Sequence, residues 1–541
     1  MPLSPLGIFE WLFASDPRRS PHRLAARWLF LRALGLIFFS AFYSLLRQVR
    51  GLIGPDGLLP AQEYLQAIRQ VAGAWRFWYV PTLLWLKSDS RSLLLLASLG
   101  LIASVLLVLN FWPRGTIFVC LVAYLSFISA LQTFSSYQSD GMLLSAGFIS
   151  LFLAPPGFRP RWGEHQPASR TSLFLLLVVW FTIYFESGVA KIAGGDPEWR
   201  NLTAMDEYYQ NGPLPTWIAW YAHHLPHWFH VGTAGFTLAL ELVLVWMALL
   251  PRRFRLVLFW MVTPVQIGII LTSNYAFLNY LVLALGILLL DDKYLATFLR
   301  RRLAEPAEVP ADLSAAQSSA ADQSTGQGGW VAARRVVSSI GLWAAAFFQG
   351  WVFFVIAAKL VWMVVPQFPI PTSPVSVLEP FRIANQYGLF AVMTRGRYEI
   401  EFQGSNDRKT WTPYRFRYKP QDPHEAPGMF APYQPRFDWN LWFASLDNWQ
   451  QNRFVISAEE RLMTGSPSVL ALFAGDPFPS APPMQMRAVV WQYWFSDRRE
   501  KQQGLWWRRE LIGLYAPALE READGKFLIT EFPRPGQQIR R

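Results

Sequence analysis

The 541-residue chain has few charged residues and almost no cysteine. Charged residues make up only 16% of the chain, whereas roughly 25% is usual in soluble domains, and 52% of its residues are hydrophobic. This balance excludes an intrinsically disordered chain and argues against a wholly soluble one. The single cysteine, Cys120, excludes an intrachain disulfide, a CxxC redox pair and a cysteine-rich zinc site.

Signatures of several enzyme classes are also missing. The sequence contains no P-loop, no GxGxxG and no HExxH motif, so nothing in it predicts a nucleotide cofactor or a zinc-peptidase centre. Ser145 and Ser187 lie close to glycines, but neither belongs to the GxSxG elbow of a hydrolase. The chain is therefore not expected to be a lipase itself, and no cofactor is predicted.

Long apolar runs account for much of the hydrophobic content. A helix of about 18 or more apolar residues can cross the hydrocarbon core of a bilayer. Seven runs of this kind are clear: 28–46, 92–112, 115–134, 171–188, 231–250, 255–272 and 335–365. Two shorter runs, 141–154 and 275–290, suit helices that are tilted or packed inside a bundle. The sequence predicts a polytopic α-helical membrane bundle with about nine spans.

The arginines behind the net charge of +12 lie mainly between apolar runs, as topology signals do, and not on a surface that would bind nucleic acid. With nine crossings, every second loop is arginine-rich. These loops hold arginines within 18–27, at 114, within 159–170, within 252–255 and within 300–335. Loop 47–73 is an exception, with three arginines of its own. The pattern predicts a cytoplasmic N-terminus, a C-terminal domain outside, and membrane lipids as partners.

Composition divides the chain into four parts. Residues 1–302 are predicted to form the transmembrane domain with its outward loops. Residues 303–332 are predicted to be a flexible cytoplasmic linker, because most of this segment consists of a stretch rich in Ala, Ser, Gln and Gly. A last transmembrane helix is expected at 333–365. Residues 366–541 lack any membrane-length apolar run, so they are predicted to form a β-rich extracytoplasmic domain.

The best-defined part of that domain is the segment 397–419. Aromatic or aliphatic residues at 398, 400 and 402 alternate with polar residues at 399, 401 and 403, and a similar alternation returns after a Gly-Ser-Asn-Asp turn. This period predicts a β-hairpin with an apolar face in the core and a charged face in solvent. MQMRAVVWQYWFS and WWRRELIGLYAP read as further strands, DWNLWFASLDNW as a helix, and a sandwich is the architecture considered.

Five segments together resemble the lipase maturation factor family. They are GLIGPDGLLPAQEYL, FESGVAKIAGGDPEWRNLTAMDEYYQNGPLPTWIAWYAHHLPHWFH, LTSNYAFLN, NQYGLFAVMTRGRYEIEFQGSNDRKTWTPYRFRYKP and APYQPRFDWNLWFA. The likeness implies a multi-pass membrane protein with a lumenal or periplasmic C-terminal domain. It also implies help in folding or assembling a secreted client, such as a lipase. Because the chain has no KDEL-type ending and one cysteine, it looks like a bacterial member, for which an inner-membrane location is expected.

Three charged residues are candidates for a second function. Gly188, Lys191 and Trp199 are similar to the membrane domain shared with vitamin K-dependent carboxylase, which implies an alternative: a membrane enzyme with Lys191 as base, working with Glu186 or Glu241. A structural network is the competing interpretation. Glu186 and Lys191 lie about 140° apart on a regular helix, so they are not expected to pair directly.

Glu241 lies in the middle of a predicted span, where an unpaired carboxylate is costly. Lys191, Gln266 and Asn279 are possible partners, and protonation is the other way to remove its charge. A hydrogen bond that stabilises the bundle and a proton or substrate path are both compatible with the sequence.

The outward loops hold residues of the types that dominate binding interfaces, because hot spots favour Trp, Tyr and Arg. The residues selected for a binding or functional role are Asp56, Asp196, Trp199, Arg200, Asn201, Tyr221 and His223. Arg200 is expected to anchor to Asp196 or Glu198, and Asn201 begins a glycosylation sequon.

Histidines cluster in the same region. His223, His227 and His230 are spaced to share a helix face and could bind zinc or copper. No Asp, Glu or Cys lies among them and Pro226 interrupts the turn, so the competing interpretation is an amphipathic segment at the membrane surface.

Overall fold

The computed structural model describes residues 23–135, 137–164, 166, 168–298 and 328–534. The predicted linker lies outside these residues up to position 327. The same is true of the arginines before residue 23 and of those at 300–302.

Seven helices in the described part of the chain are long and apolar enough to cross a membrane. They are Leu24–Ile53, Ser90–Val108, Pro113–Ala130, Arg170–Ala193, His227–Leu249, Arg252–Thr272 and Ile340–Val364. The last belongs to a longer helix, Gly328–Val364, and His227–Leu249 is α-helical to Leu242 and 3-10 helical from Leu244. These helices confirm the predicted bundle.

The two shorter runs also form helices, and both are packed inside the bundle. Gln138–Leu153 is buried at nearly every position, and Leu278–Gly286 continues as a 3-10 turn, Ile287–Leu289, with most side chains buried. The seven long helices and the two short ones add up to the predicted number of about nine elements. Only the seven long ones meet the length of a membrane span, so nine is an approximate count of spans. The burial of the two short helices explains why their apolar runs can be shorter than a lipid-facing span.

The arginine-rich loops meet at one end of the bundle, called here the basic end. Arg27, near the start of the first helix, donates to the carbonyl of Trp162 at 2.8 Å. Arg23 donates to the carbonyl of Leu288 at 2.6 Å. Trp162 lies in the loop before Arg170, Leu288 lies in the 3-10 turn Ile287–Leu289, and Arg23, Arg170, Arg252 and Arg255 line one cavity. The basic loops that alternate along the sequence therefore share one end of the fold.

The opposite end, called the domain end, carries shorter helices between the spans. They include Ala61–Ala72, Arg76–Tyr79, Pro197–Arg200, Ala204–Asn211 and Trp217–His223, with 3-10 turns at Gly73–Trp75, Leu83–Trp85 and Gln132–Ser135. Asp292–Phe298 lies at the basic end, where the carboxylate of Asp292 accepts the backbone N–H of Leu24 at 2.8 Å.

The C-terminal region is one antiparallel sheet covered by helices. Its strands are β1 (Arg397–Ser405), β2 (Thr412–Pro413), β3 (Gln485–Phe495), β4 (Trp507–Leu514), β5 (Ala518–Arg521) and β6 (Phe527–Glu531). The strand order is β2-β1-β3-β5-β6, and β4 pairs with β3 beside β5. Helices Arg436–Ser445 and Arg453–Met463 pack on β1 and β3, and shorter turns lie at Ser373–Ser376, Glu379–Phe381, Pro467–Leu470 and Arg498–Gln502. The strands at 485–495 and 507–514 and the helix at 436–445 were all predicted, but a single sheet replaces the sandwich.

The hairpin at 397–419 forms only in part. The second strand, β2, has two residues, and the long partner of β1 is β3, with Ile400 opposite Val490. Ile400 and Phe402 are buried as predicted. The reason for the short second strand is that the return segment leaves the sheet and covers the face predicted to be in solvent.

The prediction that this face of the hairpin lies in solvent is wrong. Glu399 and Glu401 are 2% and 3% exposed. The carboxylate of Glu399 pairs with Lys419 at 2.8 Å and with Arg397 at 2.5 Å, and Glu401 pairs with Arg509 at 3.2 Å. Paired charges can be buried where single ones cannot, so the polar positions of β1 do not mark a solvent face.

Candidate functional site at the domain end

The predicted site residues meet at a segment called here the strap, residues 385–396. The strap follows the last membrane helix and leads into β1. It has no regular secondary structure, so its backbone groups need partners from elsewhere. Side chains from the Arg170–Ala193 helix and the loop after it supply many of these partners.

Lys191 lies at the centre of these contacts and is 2% exposed. Its ammonium group donates to both carboxylate oxygens of Glu241, at 2.9 and 2.8 Å, and to the carbonyl of Leu389 at 2.9 Å. It also lies 5.0 Å from the centre of the Trp199 ring. An ammonium has three hydrogens, and three acceptors surround this one, so the arrangement is that of a structural cation and not of a base facing a substrate.

Glu241 therefore has Lys191 as its partner, one of the three considered. The amide of Gln266 instead donates to the hydroxyl of Tyr184 at 2.8 Å and accepts from Asn279 at 2.7 Å. The ion pair joins the helix Arg170–Ala193 to the helix His227–Leu242, across 50 residues of the sequence.

Gly188 permits this close helix contact. A Cβ on Gly188 would lie 2.9 Å from the Cβ of Glu241 and 2.9 Å from a methyl group of Leu242. Any larger side chain would push the two helices apart and lengthen the distance between Lys191 and Glu241. Close helix packing thus explains why a glycine occupies this position of the FESGVAK motif.

Glu186 binds the strap and does not pair with Lys191, as its position on the helix predicts. Its carboxylate accepts the backbone N–H of Tyr387 at 2.6 Å. One residue further, the hydroxyl of Ser187 accepts the N–H of Leu389 at 3.2 Å. Adjacent positions on the helix thus bind alternate residues of the strap.

A break in the helix at Gly194–Gly195 places the next two contacts. The helix ends at Ala193, and Gly195 has a φ of +74°, a conformation that favours glycine. Asp196 then caps the short helix that follows, accepting from Glu198 N–H at 3.0 Å, and its other oxygen accepts the N–H of Met393 at 2.6 Å.

Trp199 also binds the backbone of the strap. It is 2% exposed, and its indole N–H donates to the carbonyl of Phe390 at 2.9 Å. Asn211 donates to the carbonyl of Thr394 at 2.8 Å. Two of the candidate binding residues, Asp196 and Trp199, are therefore buried in contact with the strap and do not form an open surface.

Other candidate residues lie outside this network. Arg200, Asn201 and Asp56 are exposed, and Tyr221 is 52% exposed. The expected anchor of Arg200 is wrong, because Arg395 of the strap takes that place with a 3.2 Å ion pair to Glu198.

The histidines do not share a helix face. Trp217–His223 ends at His223, and a new helix begins at His227, because Pro226 interrupts the chain as its ring requires. His227 lies 3.0 Å from Asp206, and His230 lies 3.1 Å from the carbonyl of Leu225. In the described part of the chain, no three His, Cys, Asp or Glu side chains are placed to hold a metal ion.

Among the titratable groups outside the spans, His223 and Asp438 have shifted pKa values. Burial, together with the neighbouring His224 and His230, lowers the pKa of His223 to about 4. Burial raises the pKa of Asp438 to about 7, although the charge of Lys419 acts in the opposite direction.

Another buried ion pair, which the sequence did not reveal, joins the bundle to the sheet domain. Arg436 donates to the two carboxylate oxygens of Asp140 at 2.8 and 2.9 Å, and both residues are 0% exposed. The hydroxyl of Tyr124 donates to the same carboxylate at 2.6 Å. A signal existed: an aspartate that begins an apolar helix needs a partner, and Arg436 lies in one of the segments quoted above.

Two further polar residues hold the same junction. Arg397 donates to the carbonyls of Gln210 and Gly212, at 3.1 and 2.5 Å. The side chain of Asn274 donates to the carbonyl of Gly428 at 2.9 Å and accepts from two backbone N–H groups of residues 430 and 431. The bundle and the sheet domain are thus joined through buried polar contacts.

Comparisons with known proteins agree with this two-part organisation. Residues 25–297 match the family described as lipase maturation factor transmembrane domain, and residues 383–517 match the lipase maturation factor C-terminal domain. Lipase maturation factor 2 of Gallus gallus is 31% identical over 93% of this chain and 82% of its own length. Lipase maturation factor 1 of Mus musculus is 31% identical over 96% of this chain and 93% of its own. No solved structure matches significantly. The chain belongs to the lipase maturation factor family.

Proposed function

We propose that this protein is a membrane-anchored maturation factor that assists the folding or assembly of a secreted client, a lipase. The names of relatives that match nearly the whole chain support this role. The family match covers both the transmembrane part and the C-terminal part. The function is therefore proposed for the two parts together.

The observation that carries the proposal is the polar junction between them. The strap, Arg436 and Arg397 hold the sheet domain against the domain end of the bundle. A client at the membrane surface would therefore meet the outward loops and the sheet domain as one fixed surface. Exposed residues such as Arg200 and Tyr221 are the candidates for client contact on this surface.

We further propose a bacterial inner-membrane location, with the N-terminus in the cytoplasm and the sheet domain in the periplasm. The gathering of arginines at the basic end supports this orientation, because basic loops favour the cytoplasmic side. Reporter fusions after Pro420 and within the linker 303–329 test it. A reporter that needs the periplasm should be active at the first position only, and activity in the linker would contradict the orientation.

The function is tested by deleting the gene in a strain that secretes a lipase. The expected result is a loss of secreted lipase activity per amount of secreted lipase protein, with restoration by the intact chain. A secreted enzyme of another class is the control for general secretion. Unchanged specific activity of each lipase that the strain secretes would contradict the proposal.

A further inference from the structure

A cavity of about 470 Å³ lies at the junction behind the strap. It is called here the junction cavity. Five separate parts of the chain form its walls: strap residues 388–394, residues 439–446 in and after helix Arg436–Ser445, residues 208–213, and the domain ends of the two bundle helices near Gln138 and Leu278. The volume falls within the range of small-molecule sites, roughly 300–1,000 Å³.

The lining of the junction cavity is mostly apolar, with seven aromatic side chains among its residues, and contains no charged side chain. Tyr137 stacks on Trp439 with ring centres 4.8 Å apart, and Tyr275 meets Phe390 at 5.1 Å. The polar side chains on the walls are uncharged: Gln138, Ser139, Asn211, Thr394 and the hydroxyl groups of three tyrosines. An apolar lining with a few polar groups is the usual composition of a site for a small, mainly hydrocarbon ligand.

The position of the cavity adds a second constraint. Gln138 and Leu278 are the first residues of two apolar helices that run into the bundle, so the floor of the cavity lies where the bundle meets the membrane surface. The lining residues Val392 and Phe443 are 66% and 45% exposed, which places an opening on the cavity. A molecule that partitions at a bilayer surface would reach it.

We propose that the junction cavity binds an uncharged amphiphile with a single hydrocarbon chain and a hydroxyl or ester head group. A phosphate or carboxylate head is disfavoured because no cation lines the cavity, and a buried charge needs a partner. An apolar peptide segment is the competing occupant, and it would need a donor and an acceptor on the walls for each of its peptide units. The ring-lined walls suit a hydrocarbon chain, and the few polar groups suit one small head group.

The proposal is tested with the purified full-length protein in phosphatidylcholine nanodiscs. The probe is a monoacylglycerol that carries a diazirine in its chain, and labelled peptides are identified by mass spectrometry after illumination. The expected labels fall in 388–394 and 437–446. A tenfold excess of unlabelled monoacylglycerol should remove them, whereas labels on lipid-facing spans should persist.

Two variants fill the cavity. Ala391→Trp and Val392→Trp change residues of its lining, and excluding even two or three methylenes should reduce the junction labels by about tenfold or more. Ala426→Trp, at an exposed position away from the cavity, is the matched control and should leave the labels unchanged. An unchanged melting temperature separates a filled cavity from a damaged fold, and Val392→Trp is the second variant if Ala391→Trp is unstable.

Chain length and head group sharpen the test. Competition by unlabelled monoacylglycerols should improve by up to about fourfold per added methylene and then level off once the cavity is full. Lysophosphatidic acid of equal chain length should compete much less well. Three results would each overturn the proposal: equal competition by lysophosphatidic acid and by the monoacylglycerol, unchanged labelling of the junction in both tryptophan variants, or displacement of the label only by an apolar peptide.

Discussion

The interior of the bundle and the junction with the sheet domain bury different kinds of side chain. The bundle core is built mainly of aliphatic and aromatic residues, such as Leu34, Phe38 and Leu45, which are buried along one helix. The junction buries arginine and aspartate at 0% exposure, as in Arg436 and Asp140. Apolar packing tolerates many substitutions of similar volume, but a buried charge depends on one partner. The junction should therefore be the more sensitive region.

The largest expected effect comes from removing one charge of the junction. Arg436→Ala would leave Asp140 buried without its partner, and breaking a buried pair costs about 3–5 kcal/mol. The free energy of unfolding of the purified chain in detergent, from thermal or urea unfolding, measures the loss. The matched control is the double variant Arg436→Met with Asp140→Leu, which removes both charges and should recover most of the stability. Equal losses in the single and double variants would contradict this explanation.

The next effect concerns the strap. Trp199→Ala removes a buried ring and the donor to the carbonyl of Phe390, and such truncations cost about 3–5 kcal/mol in a core. The neighbouring Arg200→Ala should change stability by less than about 0.5 kcal/mol because Arg200 is exposed. Trypsin cleavage after Arg395, which is 63% exposed as a side chain, reports release of the strap. Equal cleavage rates in both variants would show that Trp199 does not hold it.

A smaller effect is expected from the carboxylate of Asp196. Asp196→Ala removes the acceptor for the N–H groups of Glu198 and Met393, and the loss of a helix cap costs about 0.5–2 kcal/mol. Asp56→Ala is the control, because Asp56 contacts Ser466 through its carbonyl oxygen and not through its side chain. Melting temperatures of the two variants in the same detergent are the measurement, and a larger drop for Asp56→Ala would contradict the assigned role.

The smallest effect depends on pH. Burial lowers the pKa of His223 from 6.5 to about 4, so between these values the unfolded chain binds a proton at this residue that the folded chain does not. The contribution of His223 to the free energy of unfolding is therefore fully present above about pH 6.5. It falls as the pH is lowered towards 4, by at most about 1.4 kcal/mol per pH unit. His223→Gln should show a weaker loss between pH 7 and 5 in urea unfolding. An identical pH dependence in both proteins would show that His223 does not contribute.

Local sequence pattern was sufficient for many of the elements. The seven long helices, the two shorter ones, the strands at 485–495 and 507–514 and the helix at 436–445 all follow from apolar runs and from periods of two or 3.6 residues. The break after Ala193 follows from two glycines and a proline. These features depend on neighbouring residues, so a single sequence contains the information for them.

The choice of partners was decided by the tertiary structure. Lys191 binds Leu389, 198 residues away, and Arg436 binds Asp140, 296 residues away. The polar face of β1 was assigned to solvent because alternation shows which residues share a face but not what covers that face. Sequence alone determined that Lys191 and Glu241 each needed a partner, since an unpaired charge in a membrane is costly. Helix packing inside the bundle brought Lys191 to Glu241, and the docking of the sheet domain brought the strap to Lys191. Contacts between distant segments depend on how whole elements pack.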